Sequence, residues 1–320
     1  MEINKIYNEP CLETLKKMPN EFIDCVITSP PYWQLRDYGY EGQWGLEPTF
    51  NQYLENLWSM MDEIYRVLKP SGTVWINLGD TYNTISGGIR GLERAKKNNS
   101  KASISKKNIL GQGFQQQKCD EIKNKCLLLI PHRFAIGCID RGWILRNDVI
   151  WAKRNGMPEP VTDRFTKKHE YFFFMVKQEK YFFDLDAIRD KHKESSLQRI
   201  EYGWKSEHDS IGSIDTDKMG DRFCNPLGKN PGDVSDFWDI PTKPSSNEHY
   251  ASYNDSLIKK PILAGCPKDG IVYDPFMGTG STAEAALRSQ RKFIGSEMSE
   301  KYLKICNQRL SPIINQTELF

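Results

Sequence analysis

The stretch Asp24-Cys25-Val26-Ile27-Thr28-Ser29-Pro30-Pro31-Tyr32-Trp33 constrains this chain more than any other. Residues 25–27 form a short, apolar, partly β-branched run, the pattern of a buried strand. The run stops at Pro30 and Pro31. Neither proline has an N–H for a sheet ladder, and each drives the residue before it toward extended geometry. The result is a stiff spur at the C-terminal end of a strand. It carries the Ser29 hydroxyl, main-chain carbonyls free of ladder duty and the flat ring of Tyr32. A planar base stacked on Tyr32, its exocyclic amine donating to Ser29 and to a spur carbonyl, suits these groups. Such an amine is a poor nucleophile because its lone pair is delocalised into the ring, and acceptors aimed at its hydrogens help it pyramidalise. A Pro-Pro pair alone would mark only a rigid exit from the strand; the full string through Tyr32-Trp33 points to a site.

With 320 residues the chain can bury one large core, or one core plus a small insertion. Its 38% hydrophobic and 12% aromatic content is that of a globular protein. No apolar run reaches the roughly 18 residues of a membrane-spanning helix, and residues 1–5 have no signal-peptide core. The eight cysteines are scattered, with no Cys-x-x-Cys and no metal-like grouping with the five histidines. A reduced, cytoplasmic setting without a metal site is the expectation. A net charge of +2 does not announce a polyanionic partner, so local clustering has to make that case.

Along the chain, residues 3–7 read as a strand and 11–18 as a helix with Leu12, Leu15 and Met18 on one face. The Gly- and Tyr-rich residues 34–50 read as a loop over the spur. A helix over 53–68 follows from the spacing of Leu54, Leu57, Met61, Ile64 and Leu68, with Lys69-Pro70-Ser71-Gly72 as its stop. Residues 73–78 form the next strand. Asp80 stands just past its end, as a ligand contact or a turn cap. A helix over 127–140 and strands over 142–153 and 171–177 come next, the two strands pairing antiparallel at one margin of the sheet. Residues 155–164 between them read as a rigid polar loop.

Two segments lack apolar periodicity. Within residues 82–118, Arg90, Arg94, Lys96, Lys97, Lys101, Lys106 and Lys107 face a single acid, Glu93. Such a run is a solvated loop or, beside a base-handling spur, a phosphate-binding loop that orders on DNA. Residues 191–236 mix basic residues with Tyr202, Trp204 and Phe223, a composition suited to reading a groove or to a long surface insertion.

A second motif runs Asp274-Pro275-Phe276-Met277-Gly278-Thr279-Gly280-Ser281-Thr282 after an apolar strand over 270–273. It is a strand, a glycine-rich turn and a helix start, with Ser281 or Thr282 as the helix cap. The Gly-Lys-Ser/Thr ending of a P-loop is absent, and Ala283 stands at the third glycine place of a dinucleotide fingerprint. The next strand, 292–296, ends at Glu297. An acid at about this spacing, roughly 20 residues on, binds ribose hydroxyls in such folds.

Together these motifs resemble the β class of DNA amino-methyltransferases, and the Ser-Pro-Pro-Tyr spur resembles the N4-cytosine-specific enzymes of restriction-modification systems. In that family Ser at the spur's first position usually accompanies cytosine N4 methylation, and Asp there adenine N6 methylation. The resemblance covers almost the whole chain. It implies one Rossmann-like α/β domain, circularly permuted, with a mostly parallel sheet and an antiparallel edge strand. Residues 1–190 would form the catalytic half, 191–236 a target-recognition insertion and 237–320 the cofactor-binding half. S-Adenosylmethionine is the implied cofactor. Asp274, Pro275, Phe276, Gly278, Gly280, Ser281 and Thr282 would line its methionine and adenosine portions, and Glu297 its ribose. His249 and Tyr253, in a segment resembling the one that leads into the cofactor strand, would touch the methionine end. The family's Asp-Cys-Leu pattern is broken by Pro10 before Cys11, which leaves Glu9 as a substitute contact. Double-stranded DNA is the implied partner, with a cognate restriction endonuclease beside it. Adenine methylation by the same site, methylation of RNA or a protein amide, and a DNA-binding module without activity remain as alternatives.

Overall fold

The computed structural model describes residues 1–84, 119–156, 159, 161–191, 228, 236–242 and 255–317. Strand β1 (Lys5–Tyr7) leads to helix α1 (Cys11–Lys17), β2 (Ile23–Thr28), α2 (Phe50–Val67) and β3 (Leu68–Leu78). After them come α3 (Ile130–Asp140), β4 (Ile144–Ala152), β5 (His169–Val176) and β6 (Phe237–Asp239). The chain closes with α4 (Asp255–Gly265), β7 (Ile271–Asp274), α5 (Ser281–Arg288), β8 (Lys292–Ser296) and α6 (Glu300–Thr317).

The strands form one sheet in the order β1-β8-β7-β2-β3-β5-β4-β6. Every neighbouring pair is parallel except those made by β5, which runs against both β3 and β4. The antiparallel strand expected at the margin is therefore β5, and it lies inside that margin because β4 and then the three-residue β6 lie outside it. Parallel strands bury both faces, and the side chains divide accordingly. Val26, Val74, Ile76, Phe173, Met175 and Ile294 pack with α1, α2 and α3 on one face. Cys25, Ile27, Trp75, Phe172, Phe174 and Phe293 pack with α4, α5 and α6 on the other.

Some boundaries move for local reasons. Leu68 leaves α2 already extended, at φ −72 and ψ 135, so helix passes into strand without a separate turn. Pro70, Ser71 and Gly72 are taken up as an irregularity in β3, where its partner jumps from Ile23↔Leu68 to Cys25↔Thr73. Helix α3 starts at Ile130 rather than 127 because Leu129 adopts φ 55 and the Leu128 N–H is held by Thr81 O at 3.0 Å. Asp80 Oδ1 then accepts from Thr81 N and Ile130 N, at 2.8 and 3.1 Å, so Asp80 caps the turn and the new helix.

Helix α3 meets α2 where Gly137 faces Trp58. A Cβ on Gly137 would lie 2.3 Å from the indole, whose Nε1 donates to Phe134 O at 3.1 Å. Gly137→Ala is expected to destabilise the fold by about 1–3 kcal/mol by overpacking, against the helix propensity it gains. Urea unfolding followed by circular dichroism measures this.

Candidate active site

Strand β2 connects through α2 to β3 on one side, and β7 connects through α5 to β8 on the other. The chain thus turns in opposite directions from two adjacent parallel strands, which leaves a crevice beyond their C-terminal ends. Both motifs stand there. Ser29, Pro30, Pro31 and Tyr32 from the end of β2, with Pro275, Phe276, Gly278, Ser281 and Glu297 from the other half, line one cavity of about 310 Å³.

Asp274 joins the two halves. It is 1% exposed, and its Oδ1 accepts from Thr28 Oγ1 at 2.7 Å and Phe276 N at 3.0 Å, while Oδ2 accepts from Thr282 Oγ1 at 2.6 Å. Burial pushes its pKa up to about 6, against the pull of the two hydroxyls and the backbone N–H. This corrects the expectation that Asp274 and Thr282 line the cavity. Their side chains are spent on bracing it. Gly280 is likewise behind the wall: it has φ 84, and a Cβ there would sit 2.2 Å from Cys306 Sγ of α6. Gly280 also takes the helix-cap position expected of Ser281 or Thr282, since Ser281 Oγ is occupied by Arg309 Nη1 at 2.9 Å.

On the β7–β8 side, Gly278 has φ 56, and a Cβ built there finds nothing nearer than 3.9 Å, so this backbone borders open cavity. Its N–H donates to Glu297 Oε2 at 2.8 Å, and Ser299 N donates to Oε1 at 2.7 Å. Burial pushes the Glu297 carboxyl up to about 7, the backbone N–H groups opposing and nearby Asp274 adding to the rise. An open-walled glycine turn beside a carboxylate at a strand end fits S-adenosylmethionine; Glu297 would hold its ribose hydroxyls and Phe276 would supply apolar contact. Glu9 is not part of this wall: it accepts from Thr14 Oγ1 at 3.0 Å and pairs with Lys17 on α1.

The spur side holds more polar groups than the motif supplies. Pro31 O accepts from Tyr53 Oη at 2.8 Å, which fixes the spur on α2. The Tyr32 ring lies against Gly79, where a Cβ would meet Cε2 at 2.6 Å. Trp33 turns away into the core, its Nε1 donating to Glu47 O at 2.9 Å. Asn77 from β3, Glu170 from β5 and Lys153 after β4 also line the cavity. Tyr32 Oη reaches both Asn77 Oδ1 at 2.9 Å and Glu170 Oε2 at 2.8 Å. The loop expected over the site is there, with Arg36, Tyr38, Tyr40 and Trp44 on the cavity and Trp44 against Phe276 at 5.3 Å. Sequence reasoning passed over Asn77, Lys153 and Glu170. For Asn77 and Glu170 the one signal is a polar side chain at the mouth-side end of an otherwise apolar strand; Lys153, after the mixed strand β4, has none. His249, Tyr253, the basic residues Arg90 to Lys107 and most of residues 191–236 lie outside the described residues.

The family model for DNA methylases of the N6/N4 type matches residues 23–308. The chain belongs to that family. It is a β-class DNA amino-methyltransferase of the restriction-modification kind, dependent on S-adenosylmethionine. Among its relatives, the type II methyltransferase M.Cfr9I of Citrobacter freundii is 33% identical over 312 residues, covering 97% of this chain and 89% of that protein. M.SmaI of Serratia marcescens is 32% identical over 298 residues, covering 93% and 87%. In fold, the chain is similar to the PvuII DNA methyltransferase (cytosine-N4-specific), with TM-score 0.61, 18% identity and coverage of 99% and 93%. A putative DNA modification methylase from Thermus thermophilus, complexed with S-adenosyl-L-methionine, gives TM-score 0.57 at 18% identity, covering 97% and 94%.

In this methyltransferase the bound cofactor supplies an electrophilic methyl group. The protein would supply position and polarity: the glycine turn and Glu297 would hold the cofactor, and the Ser29 spur, on the other side of the same cavity, would hold the acceptor.

Two outcomes follow from this geometry. Gly278→Val places a branched side chain in the cavity at a positive φ, and S-adenosylmethionine binding by calorimetry is expected to be lost while the far-ultraviolet spectrum stays unchanged. Glu297→Gln removes a carboxyl whose folded pKa lies above its unfolded value. Its stabilising share is full below about pH 4.5 and is lost as pH rises through about 7. The melting temperature of the unmodified protein relative to the Gln variant should therefore rise as pH falls from about 8 to about 5.

Proposed function

We propose that this methyltransferase places its methyl group on the exocyclic N4 amine of cytosine at a specific site in double-stranded DNA. The neutral Ser29 hydroxyl at the head of the spur carries this reading. A hydroxyl accepts one amine hydrogen and adds no charge beside the small pyrimidine ring, whereas a carboxylate at that place usually accompanies adenine. The second acceptor for the amine is a carbonyl of Ser29 or Pro30, since Pro31 O is already engaged by Tyr53. A base inside a duplex cannot reach a cavity at the ends of β2 and β7, so it has to leave the stack, at a cost of a few kcal/mol. Stacking on Tyr32, worth about 1–3 kcal/mol on single-strand analogies, offsets part of that.

In the same reading the basic residues Arg90, Arg94, Lys96, Lys97, Lys101, Lys106 and Lys107 contact phosphate, and residues 191–236 read the target sequence. The type II names of the relatives support a cognate restriction endonuclease as the functional partner, and a cytoplasmic site of action follows from that pairing.

DNA from cells expressing the protein, digested to nucleosides and examined by mass spectrometry, should contain N4-methylcytosine. N6-methyladenine with no modified cytosine overturns the base assignment and leaves the amino-methyltransferase family intact. Ser29→Ala is expected to lower kcat by about a hundredfold, the scale of one preorganised hydrogen bond at a reacting group, with little change in DNA affinity.

A further inference from the structure

For Ser29 to accept a hydrogen from the target amine, its own hydroxyl proton has to point away from the cavity. The groups behind it determine whether it does. Ser29 Oγ lies 3.3 Å from Tyr32 Oη and 3.5 Å from Asn77 Oδ1. Tyr32 Oη in turn lies 2.9 Å from Asn77 Oδ1 and 2.8 Å from Glu170 Oε2. The Asn77 amide is oriented by its Nδ2, which donates to Tyr171 O at 3.0 Å, so only its oxygen faces the cluster. Glu170 Oε1 is held by Lys153 in an ion pair whose side chains are 14% and 22% exposed, and Lys153 lies over the Trp151 ring at 4.4 Å. Trp151 and Glu170 face each other across β4 and β5, so the sheet register itself brings this pair to the site.

The cluster therefore holds two hydroxyl protons and, behind them, an amide oxygen and a carboxylate that can only accept. The carboxylate is the stronger acceptor, and Lys153 holds its other oxygen. We propose that the Glu170–Lys153 pair is a positioning pair: it draws the Tyr32 proton to itself, so Ser29 donates to Tyr32 and turns only lone pairs toward the amine. The hydrogen bonds run one way, from Ser29 to Tyr32 to Glu170. No proton need move along the chain for it to act; its direction is what prepares Ser29. The inference rests on an exocyclic amine as the acceptor of the methyl group and holds for cytosine or adenine.

The pair acts through Tyr32, which gives a test that a merely structural role fails. In Glu170→Gln the amide N–H₂ donates to Tyr32 Oη and the Tyr32 proton loses its carboxylate. It is then shared between Asn77 Oδ1 at 2.9 Å and Ser29 Oγ at 3.3 Å, and for the share of time it spends on Ser29 it competes with the amine. Single-turnover methyl transfer to plasmid DNA, followed with tritiated S-adenosylmethionine, should slow about tenfold, the effect of one misdirected hydrogen bond. Dissociation constants for DNA and cofactor should stay the same. Adding Tyr32→Phe to that variant removes the competing proton, so the double variant should be several-fold faster than Glu170→Gln alone. A double variant as slow as or slower than Glu170→Gln overturns the proposal, as does a Glu170→Gln protein as fast as the unmodified one. Should Glu170→Gln melt early, Glu170→Gln with Lys153→Met leaves no stranded charge, and the same Tyr32→Phe comparison applies. Methyl found on adenine in the unmodified protein's product overturns the cytosine reading without touching this comparison, since rates are read on whichever base is modified.

Discussion

The site depends on the Asp274 carboxylate. It gathers Thr28 from the end of β2, Thr282 from the first turn of α5 and the Phe276 N–H from the glycine turn. Burying a carboxylate is costly unless its lone pairs are used, and here three donors converge on it. Because those donors come from both halves of the chain, the spur and the cofactor turn cannot move apart without stranding a buried charge. The motif glycines differ in purpose. Gly278 leaves room for a ligand, while Gly280 leaves room for Cys306 of α6, so one belongs to the cavity and the other to the wall behind it.

Around this brace the sheet divides the labour. The parallel strands β7 and β8 supply a turn and an acid, Glu297, whose backbone partners are Gly278 and Ser299. The reversed strand β5 and its neighbour β4 supply Glu170 and Lys153, which meet the spur through Tyr32. Reversal matters chemically: Glu170 lies near the start of β5, and only an antiparallel β5 brings its start to the same end of the sheet as the ends of β2 and β3. Above both, the loop after the spur closes the cavity through Trp44 on Phe276 and Tyr38 on Tyr302.

Much of this was legible in the residues. The strand and proline spur at Ser29, the glycine turn after Asp274 and the acid Glu297 each carry a local physical reason, and apolar periodicity places the helices on either side. The strand-to-helix order supports a mostly parallel sheet. The stop at Lys69 to Gly72 was legible as a break in the helix, though its absorption into β3 depends on pairing with β2.

What the sequence determined by itself was the chemistry available at strand ends: a hydroxyl on a stiff spur, a turn able to approach a ligand, and a carboxylate after the next strand. These follow from short-range rules, since proline, glycine and side-chain period act over a few residues. Tertiary structure alone decided which groups share the cavity and which are spent holding it. Asp274 and Thr282 read as ligand contacts and prove to be the brace, because their partner Thr28 is distant in sequence and adjacent only across the β2–β7 pair. Asn77, Lys153 and Glu170 carry no motif, and they reach the spur only because β3, β5 and β4 lie side by side in that order. Contacts of that kind depend on register and strand direction, which no local pattern in the chain encodes.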